Sequence, residues 1–283
     1  MNKHYKTIET TISNDVAYIY LNRPEVHNAF NDVMIDELTD CFKTLNGVEA
    51  REEAREDLAK RLRLIVLEGR GKTFCSGVDI NWMKDTLHST YEDTYKGSLA
   101  IAECMHTIFT SPTPTIAKVF GGAFGGATGL LSACDMVFTS HETTFSLSEV
   151  KIGLVPACIA PYVINRVGMI RAKELMLSGI RIGGQLAESY GLANQSAVSR
   201  AELEKMVNEK IELLLTGGPQ ALKICKQLIH NVVNMDISEA KAYTAKVISE
   251  IRMSDEGQEG MNAFLEKRKA NWSKGSKICL KKS

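Results

Sequence analysis

The sequence predicts an α/β protein with a mainly parallel sheet, followed by an all-helical C-terminal region. Strand-like and helix-like segments alternate over the first two thirds of the chain, which favours crossover connections. The β-branched run at 63–68 is bounded by glycines, as a buried parallel strand is. No strand-like segment follows about residue 200. We therefore expect an α/β core over 1–199, helices over 200–273 and a loose Lys-rich tail over 274–283.

The N-terminal elements carry the clearest patterns. Residues 5–11 and 16–21 are predicted strands, joined by a turn at Asn14-Asp15. Residues 31–46 have apolar side chains at helical spacing and predict a helix. The charge-rich segment 48–61 is either a solvated helix or an inserted loop.

The following segments continue the alternation. The strand at 63–68 precedes a helical segment at 92–110 and a strand at 113–121. A glycine-rich turn leads into the small-residue helix ATGLLSA at 127–133, and 134–140 is the next strand. Four amphipathic helices are predicted in the C-terminal region, at 200–215, 218–232, 236–252 and 255–269.

Composition excludes several functional classes. Thirty-four basic residues balance thirty-four acidic ones, which argues against a nucleic-acid binder with a broad basic field. No run of eighteen apolar residues is present, so no membrane association is expected, and the polar N-terminus predicts a cytoplasmic protein. The seven cysteines form no CxxC pair and the histidines no HExxH motif, so we expect no metal. No separate cofactor is expected either.

Two glycine-containing stretches are candidates for a ligand site, at 74–80 (FCSGVDI) and 121–129 (GGAFGGATG). Glycine lets backbone approach a ligand closely, and a helix that begins near Gly126 would direct unpaired N–H groups outward. One N–H group from each stretch would then hold an oxygen that gains negative charge. The second stretch matches neither a P-loop nor GxGxxG, and tight turns alone would also explain the glycines.

Glu149 is the candidate acid/base, because it lies among apolar neighbours in FSLSEVKIGLVP. A desolvated carboxylate there would have a raised pKa and would transfer protons. The alternative is an acid at a helix N-terminus after Ser146 or Ser148.

Together these segments resemble the crotonase, or enoyl-CoA hydratase/isomerase, superfamily, from about Tyr5 to Trp272. The resemblance also includes LNRPEVHNAF at 21–30 and EGMNAFLEKRKANW at 259–272. It implies a ββα spiral core that binds coenzyme A (CoA) thioesters. It also implies a helical C-terminal trimerisation region, in a homotrimer or in a hexamer made of two trimers.

The same resemblance implies roles for individual residues. The backbone N–H groups of Val78 and Gly126 would bind the thioester oxygen as it becomes an enolate, and Glu149 would be the acid/base. Gly129 stands where many hydratases carry a first glutamate. CoA or substrate contacts are implied for Ala29, Ser76, Asp79, Ile80, Phe264 and Lys267. The last two would reach the CoA of a neighbouring subunit; without the resemblance, Phe264 would be a core residue and Lys267 a solvated charge.

The finer resemblance is to the methylglutaconyl-CoA and carboxygeranoyl-CoA hydratases of leucine and acyclic terpene breakdown. It implies hydration of a branched enoyl-CoA with a second carboxylate, which would help to position the water. Glu142, His141 and Cys75 are other water-positioning candidates, each of which is by default a surface or packing residue.

Several alternatives stay open. A Δ3,Δ2-enoyl-CoA isomerase also works with one glutamate at the position of Glu149, and a non-catalytic protein that binds acyl-CoA or RNA is a third possibility. The acyl carrier is CoA or a protein-bound pantetheine. In the variable segment 81–100, Trp82, Met83 and Tyr91 either line an apolar wall or belong to the core.

Overall fold

The structure, a computed structural model, describes residues 4–47 and 62–273. The charge-rich segment 48–61 and the predicted tail at 274–283 lie outside the described residues. Within the described part, no helix is both long and apolar enough to cross a bilayer.

The described strands form two sheets. The bounds are β1 Ile8–Ser13, β2 Val16–Leu21, β3 Leu64–Gly69, β4 Thr115–Val119, β5 Gly122–Phe124, β6 Met136–Ser140, β7 Thr144–Ser146, β8 Arg181–Gly183 and β9 Gln195–Ala197. The larger sheet has the order β1-β2-β3-β4-β6-β9 and the smaller one β5-β7-β8. Only β1 and β8 run antiparallel to their neighbours among these pairs. The predicted mainly parallel sheet is confirmed.

The described helices alternate with these strands and then continue alone. They are α1 Asp32–Leu45, α2 Ile80–Thr86, α3 Tyr91–Phe109, α4 Gly126–Ala133, α5 Ala160–Ser178, α6 Gly184–Ser189, α7 Arg200–Leu214, α8 Pro219–Val232, α9 Ile237–Met253 and α10 Asp255–Leu265. Short 3-10 turns lie at Pro24–Val26, Glu149–Ile152 and Asn271–Ser273. Helix α10 ends before the predicted 269, because Lys267 adopts a left-handed φ of 55°.

Local sequence explains the N-terminal elements. Asn14 and Asp15 both adopt positive φ, of 49° and 62°, in the turn between β1 and β2. Asn31 caps α1 by accepting a hydrogen bond from the N–H of Met34 at 3.1 Å. The apolar face of α1 is fully buried and packs against α3. Burial of this stripe, at about 25 cal/mol per Å² of apolar area, is the main stabilising contribution of the helix.

The described chain forms two compact units. One comprises the residues up to Ser111 together with Thr115–Val207, and the other comprises Pro112–Pro114 and the residues from Asn208 onward. In the second unit, the Glu256 carboxylate accepts hydrogen bonds from the N–H groups of Gln220 and Ala221 at 2.9 and 2.8 Å. This carboxylate caps the N-terminus of α8 and ties it to α10.

Candidate active site

The first candidate donor lies in the segment that follows β3. The N–H of Phe30 donates to the carbonyl of Gly77, and the N–H of Asp79 donates to the carbonyl of Phe30, both at 2.9 Å. Phe30 and Val78 therefore form a parallel bridge. Because alternate N–H groups of an extended segment point to opposite sides, the N–H of Val78 points away from Phe30. Among the described residues it has no hydrogen-bond acceptor.

The second candidate donor is the first residue of α4. Gly125 adopts φ 53°, and its own N–H donates a hydrogen bond to the carbonyl of Ser146 at 2.8 Å. Gly126 follows as the first helical residue, and its N–H has no acceptor in the described part of the chain. A Cβ at Gly126 would lie 2.4 Å from Cζ of Phe30, so only glycine fits here.

Phe30 connects the two donors, because its backbone bridges Val78 and its ring packs on Gly126. Trp82 supports that ring edge-on, with the ring centroids 6.4 Å apart. Phe30 lines the cavity, although the sequence did not single it out. Its place in the LNRPEVHNAF segment, next to Ala29, was the only available signal.

Glu149 begins the 3-10 turn Glu149–Ile152, which the N–H of Leu154 closes by donating to the Glu149 carbonyl at 3.0 Å. A Cβ at Gly125 would lie 3.0 Å from Oε1 of Glu149, so the carboxylate lies against the turn that precedes Gly126. Oε2 is buried and has no hydrogen-bond partner in the described structure. Burial raises the pKa of Glu149, against a smaller lowering by its own N–H. Such a carboxylate gains from accepting a proton.

All three groups line one cavity of about 570 Å³, together with Phe30. Trp82 and Met83 also line it, whereas Tyr91 does not; its side chain is 85% exposed and stacks on Tyr95.

Gly129 lies one turn further along α4, beside the same cavity. A Cβ at Gly129 would lie 2.1 Å from Cγ2 of Ile159 and 3.4 Å from Sδ of Met105. Ile159 is buried and lines the cavity. The space that a side chain at 129 would use is therefore filled by hydrocarbon.

The residues implied as CoA contacts lie in several environments. Asp79 is buried, pairs with Arg23 at 2.8 Å and caps α2 through the N–H of Asn81 at 2.8 Å. Burial alone would raise the pKa of Asp79, but these two partners together lower it. Arg23 also donates to the carbonyl of the buried Ala29 at 2.7 Å. Ile80 is 69% exposed. Arg23 thus joins two of the implied contact positions.

Ser76 lies in the segment that carries Val78 but does not line the cavity. Ser76 donates its hydroxyl to the Val26 carbonyl at 3.4 Å. In the C-terminal unit, Phe264 is 80% exposed and Lys267 is also exposed.

The three candidates for positioning water also lie elsewhere. Cys75 is buried, which raises the pKa of its thiol to about 12, and its sulfur accepts from the N–H of Gly77 at 3.4 Å. Glu142 is exposed, and the backbone N–H of His141 donates to the Ala197 carbonyl at 2.7 Å. None of the three lines the cavity.

Known proteins match this chain over most of its length. The family model described as "Enoyl-CoA hydratase/isomerase" matches residues 11–275. A mitochondrial enoyl-CoA hydratase of Pongo abelii is 31% identical over 264 residues, 92% of this chain and 84% of the relative. A solved enoyl-CoA hydratase from Shewanella pealeana is 32% identical, with TM-score 0.85, covering 94% of this chain and 96% of that one. AtuE of Pseudomonas aeruginosa is 28% identical, with TM-score 0.88, covering 95% and 100%. The predicted crotonase-type α/β fold is confirmed.

Proposed function

This chain belongs to the enoyl-CoA hydratase/isomerase family, and we propose that it adds water across the 2,3 double bond of an enoyl-CoA. One observation carries the proposal. Val78 and Gly126, whose backbone N–H groups have no acceptor in the described chain, line the cavity that Glu149 also lines, and the buried Oε2 of Glu149 has no hydrogen-bond partner in the described structure. Paired donors and a proton-accepting carboxylate are the parts that enolate chemistry needs.

The proposed hydration needs one water molecule and one base, Glu149. The water oxygen bonds to C3 as Glu149 takes a proton from that water, and the C2–C3 π electrons move toward the thioester oxygen. The N–H groups of Val78 and Gly126 hold that oxygen as its negative charge grows, which stabilises the transition state more than the substrate. Glu149 then returns the proton to C2 as the enolate collapses. Substrate and water are consumed, and a 3-hydroxyacyl-CoA leaves.

The pKa of Glu149 suits this double role. A carboxylate whose pKa is raised by burial is a better base when ionised, and it gives the proton back to carbon afterwards. The filled space beside Gly129 supports a mechanism with one acid/base, because Ile159 occupies the position from which a second carboxylate would act.

The same single carboxylate also favours a second candidate, Δ3,Δ2-enoyl-CoA isomerisation. There Glu149 would remove a proton from C2 and return it to C4, with the enolate held by the same two N–H groups. The apolar wall that Ile159 forms supports this alternative, because it offers no hydrogen bond to a water molecule.

The finer parts of the proposal rest on the sequence resemblance. It favours a branched, methylglutaconyl-like acyl chain, and the apolar walls at Trp82 and Met83 support its hydrocarbon part. The proposed enzyme is a homotrimer or a dimer of trimers and uses no cofactor beyond the CoA of its substrate. Exposed Phe264 and Lys267 would contact the CoA of a neighbouring subunit, and Ile80 that of its own.

The test presents the protein with a 2-enoyl-CoA and, separately, with a 3-enoyl-CoA. Hydration removes the conjugated thioester absorbance and adds the mass of one water, whereas isomerisation of a 3-enoyl-CoA creates that absorbance with no change of mass. We expect hydration by the wild type and by Glu142→Gln, an exposed control, and loss of it in Glu149→Gln. Conversion of 3-enoyl-CoA alone would replace hydratase with isomerase, and no turnover with retained CoA-thioester binding would favour a binding protein.

A further inference from the structure

Large apolar side chains make up much of the cavity lining around the three reactive groups. Trp82 and Met83 on α2, Ile101 on α3, and Leu154 and Ile159 on the segment after Glu149 all line the cavity. Such a wall stabilises an acyl chain through apolar burial and dispersion, without directional bonds.

The charged residues among those that line the cavity are both acids, namely Glu149 and Asp93. Asp93 lies in the first turn of α3, and its carboxylate accepts a hydrogen bond from the Thr90 hydroxyl at 2.6 Å. The other polar side chains that line it are serines and threonines, Trp82 with its indole N–H, and Cys158, whose thiol donates to the Ser98 carbonyl at 3.4 Å. No described basic residue borders this space.

Three lysines on the surrounding elements do not line the cavity. Lys96 on α3 pairs with Glu92 at 3.3 Å, on the exposed side of that helix. Lys151, two residues after Glu149, extends along Gly179, where its Cε would lie 2.9 Å from a Cβ added to that glycine. Lys84 on α2 is exposed and does not line the cavity. A carboxylate inside the cavity would therefore meet no cation from these side chains.

We infer that this site takes an enoyl-CoA with an uncharged acyl chain and discriminates against one with a carboxylate on the chain, an inference that rests on the proposed hydration. A carboxylate that leaves water without gaining a cation loses solvation, and two acids repel it in addition. An uncharged acyl chain has no such solvation to lose, and it gains apolar contacts with Trp82 and Met83. The expected substrate has the branched acyl chain that the sequence resemblance favours, without the second carboxylate.

The first experiment compares two branched substrates that differ at one group. These are 3-methylglutaconyl-CoA and 3-methyl-2-pentenoyl-CoA, in which a methyl group replaces the distal carboxylate. We expect kcat/KM for the uncharged substrate to exceed that for the dicarboxylic one by at least about tenfold, from partial desolvation of one carboxylate. Equal values, or a preference for 3-methylglutaconyl-CoA, would overturn the inference and leave the hydratase proposal intact. Turnover of no 2-enoyl-CoA at all would overturn the proposed function, and the inference with it.

The second experiment removes one of the two acids. Asp93→Asn is expected to raise the ratio of dicarboxylic to uncharged kcat/KM by about 2- to 10-fold, the size of one screened charge–charge interaction. Glu92→Gln is the matched control, because it removes the same charge from the same helical turn outside the cavity. A ratio that stays constant in Asp93→Asn, or that changes equally in Glu92→Gln, would show that Asp93 does not act on the chain.

Discussion

Substitution of Gly129 by alanine tests directly how closely the hydrocarbon side of the site is packed. The new Cβ would lie 2.1 Å from Cγ2 and 2.7 Å from Cβ of Ile159, which is 3% exposed. Overpacking of this kind costs about 1–3 kcal/mol, while the gain in helix propensity returns up to about 1 kcal/mol. We expect a net loss of about 1–2 kcal/mol, or a fall of roughly 2–8 °C in thermal midpoint.

Gly97 supplies the matched control. It lies inside α3, and a Cβ there would meet nothing within 4 Å. Gly97→Ala should therefore show the propensity gain alone and stabilise the protein by up to about 1 kcal/mol. Urea unfolding and thermal melts, at one fixed protein concentration, measure both variants.

A double-mutant cycle assigns the loss to its cause. Ile159→Ala alone should cost about 2–5 kcal/mol through the void it leaves. Combined with Gly129→Ala, the loss should fall below the sum of the single losses by about 1–2 kcal/mol, because the new methyl group then enters that void. Strict additivity, or a Gly129→Ala variant as stable as Gly97→Ala, would refute the claim that Ile159 fills this space.

The charged groups give three further expectations. Burial raises the pKa of Glu149 in the folded protein above its pKa in the unfolded chain. The protonated side chain therefore stabilises the fold at pH values below the unfolded-state pKa, and this contribution is lost as pH rises through the folded-state pKa. Glu149→Gln should therefore raise the thermal midpoint at neutral pH but not in acid, and equal midpoints of the two proteins at every pH would contradict this. The kcat/KM of the wild type should decrease at pH values below the raised pKa of Glu149, because the base is then protonated. Arg23→Met should cost about 1.5–3 kcal/mol at neutral pH, because the buried Asp79 loses its charged partner and keeps the backbone N–H of Asn81. Because the pKa of Asp79 is lowered, the ion pair's contribution is lost as pH falls through it, so a loss independent of pH would refute this cause. Lys118→Met should likewise lower the free energy of unfolding, because it leaves the buried carboxylate of Glu68 without its cation. Urea unfolding of the double variant with Glu68→Gln should recover most of this loss, and no recovery would mean that the loss comes from packing.

The periodic parts of the fold were predictable because their pattern is local. The turn at Asn14-Asp15 was predicted from its residue types and the helix at 31–46 from apolar spacing, and the structure confirms both. Short strands such as β5, β7 and β8 were missed, since three residues cannot show a period of two. Helix α5 was not predicted either, and it contains a non-helical φ of 71° at Gly168.

The candidate site required tertiary information for its details. The free direction of the Val78 N–H depends on a bridge to Phe30, which is distant in sequence and contributes nothing to the local pattern. The role of Ile159 beside Gly129 likewise depends on how two segments pack. The sequence located Glu149 among apolar neighbours, but its unpaired oxygen follows only from the folded environment.

In the proposed mechanism, Glu149 moves a proton at the carbon next to a thioester whose oxygen is held by the two backbone N–H groups. Exchange of the C2 protons of butyryl-CoA in deuterated water, followed by NMR, tests this claim without a double bond and without a choice between hydration and isomerisation. We predict exchange by the wild type that slows about 10²- to 10⁴-fold in Glu149→Gln, while the affinity for butyryl-CoA persists. Exchange that is absent from the wild type, or equally fast in Glu149→Gln, would contradict it.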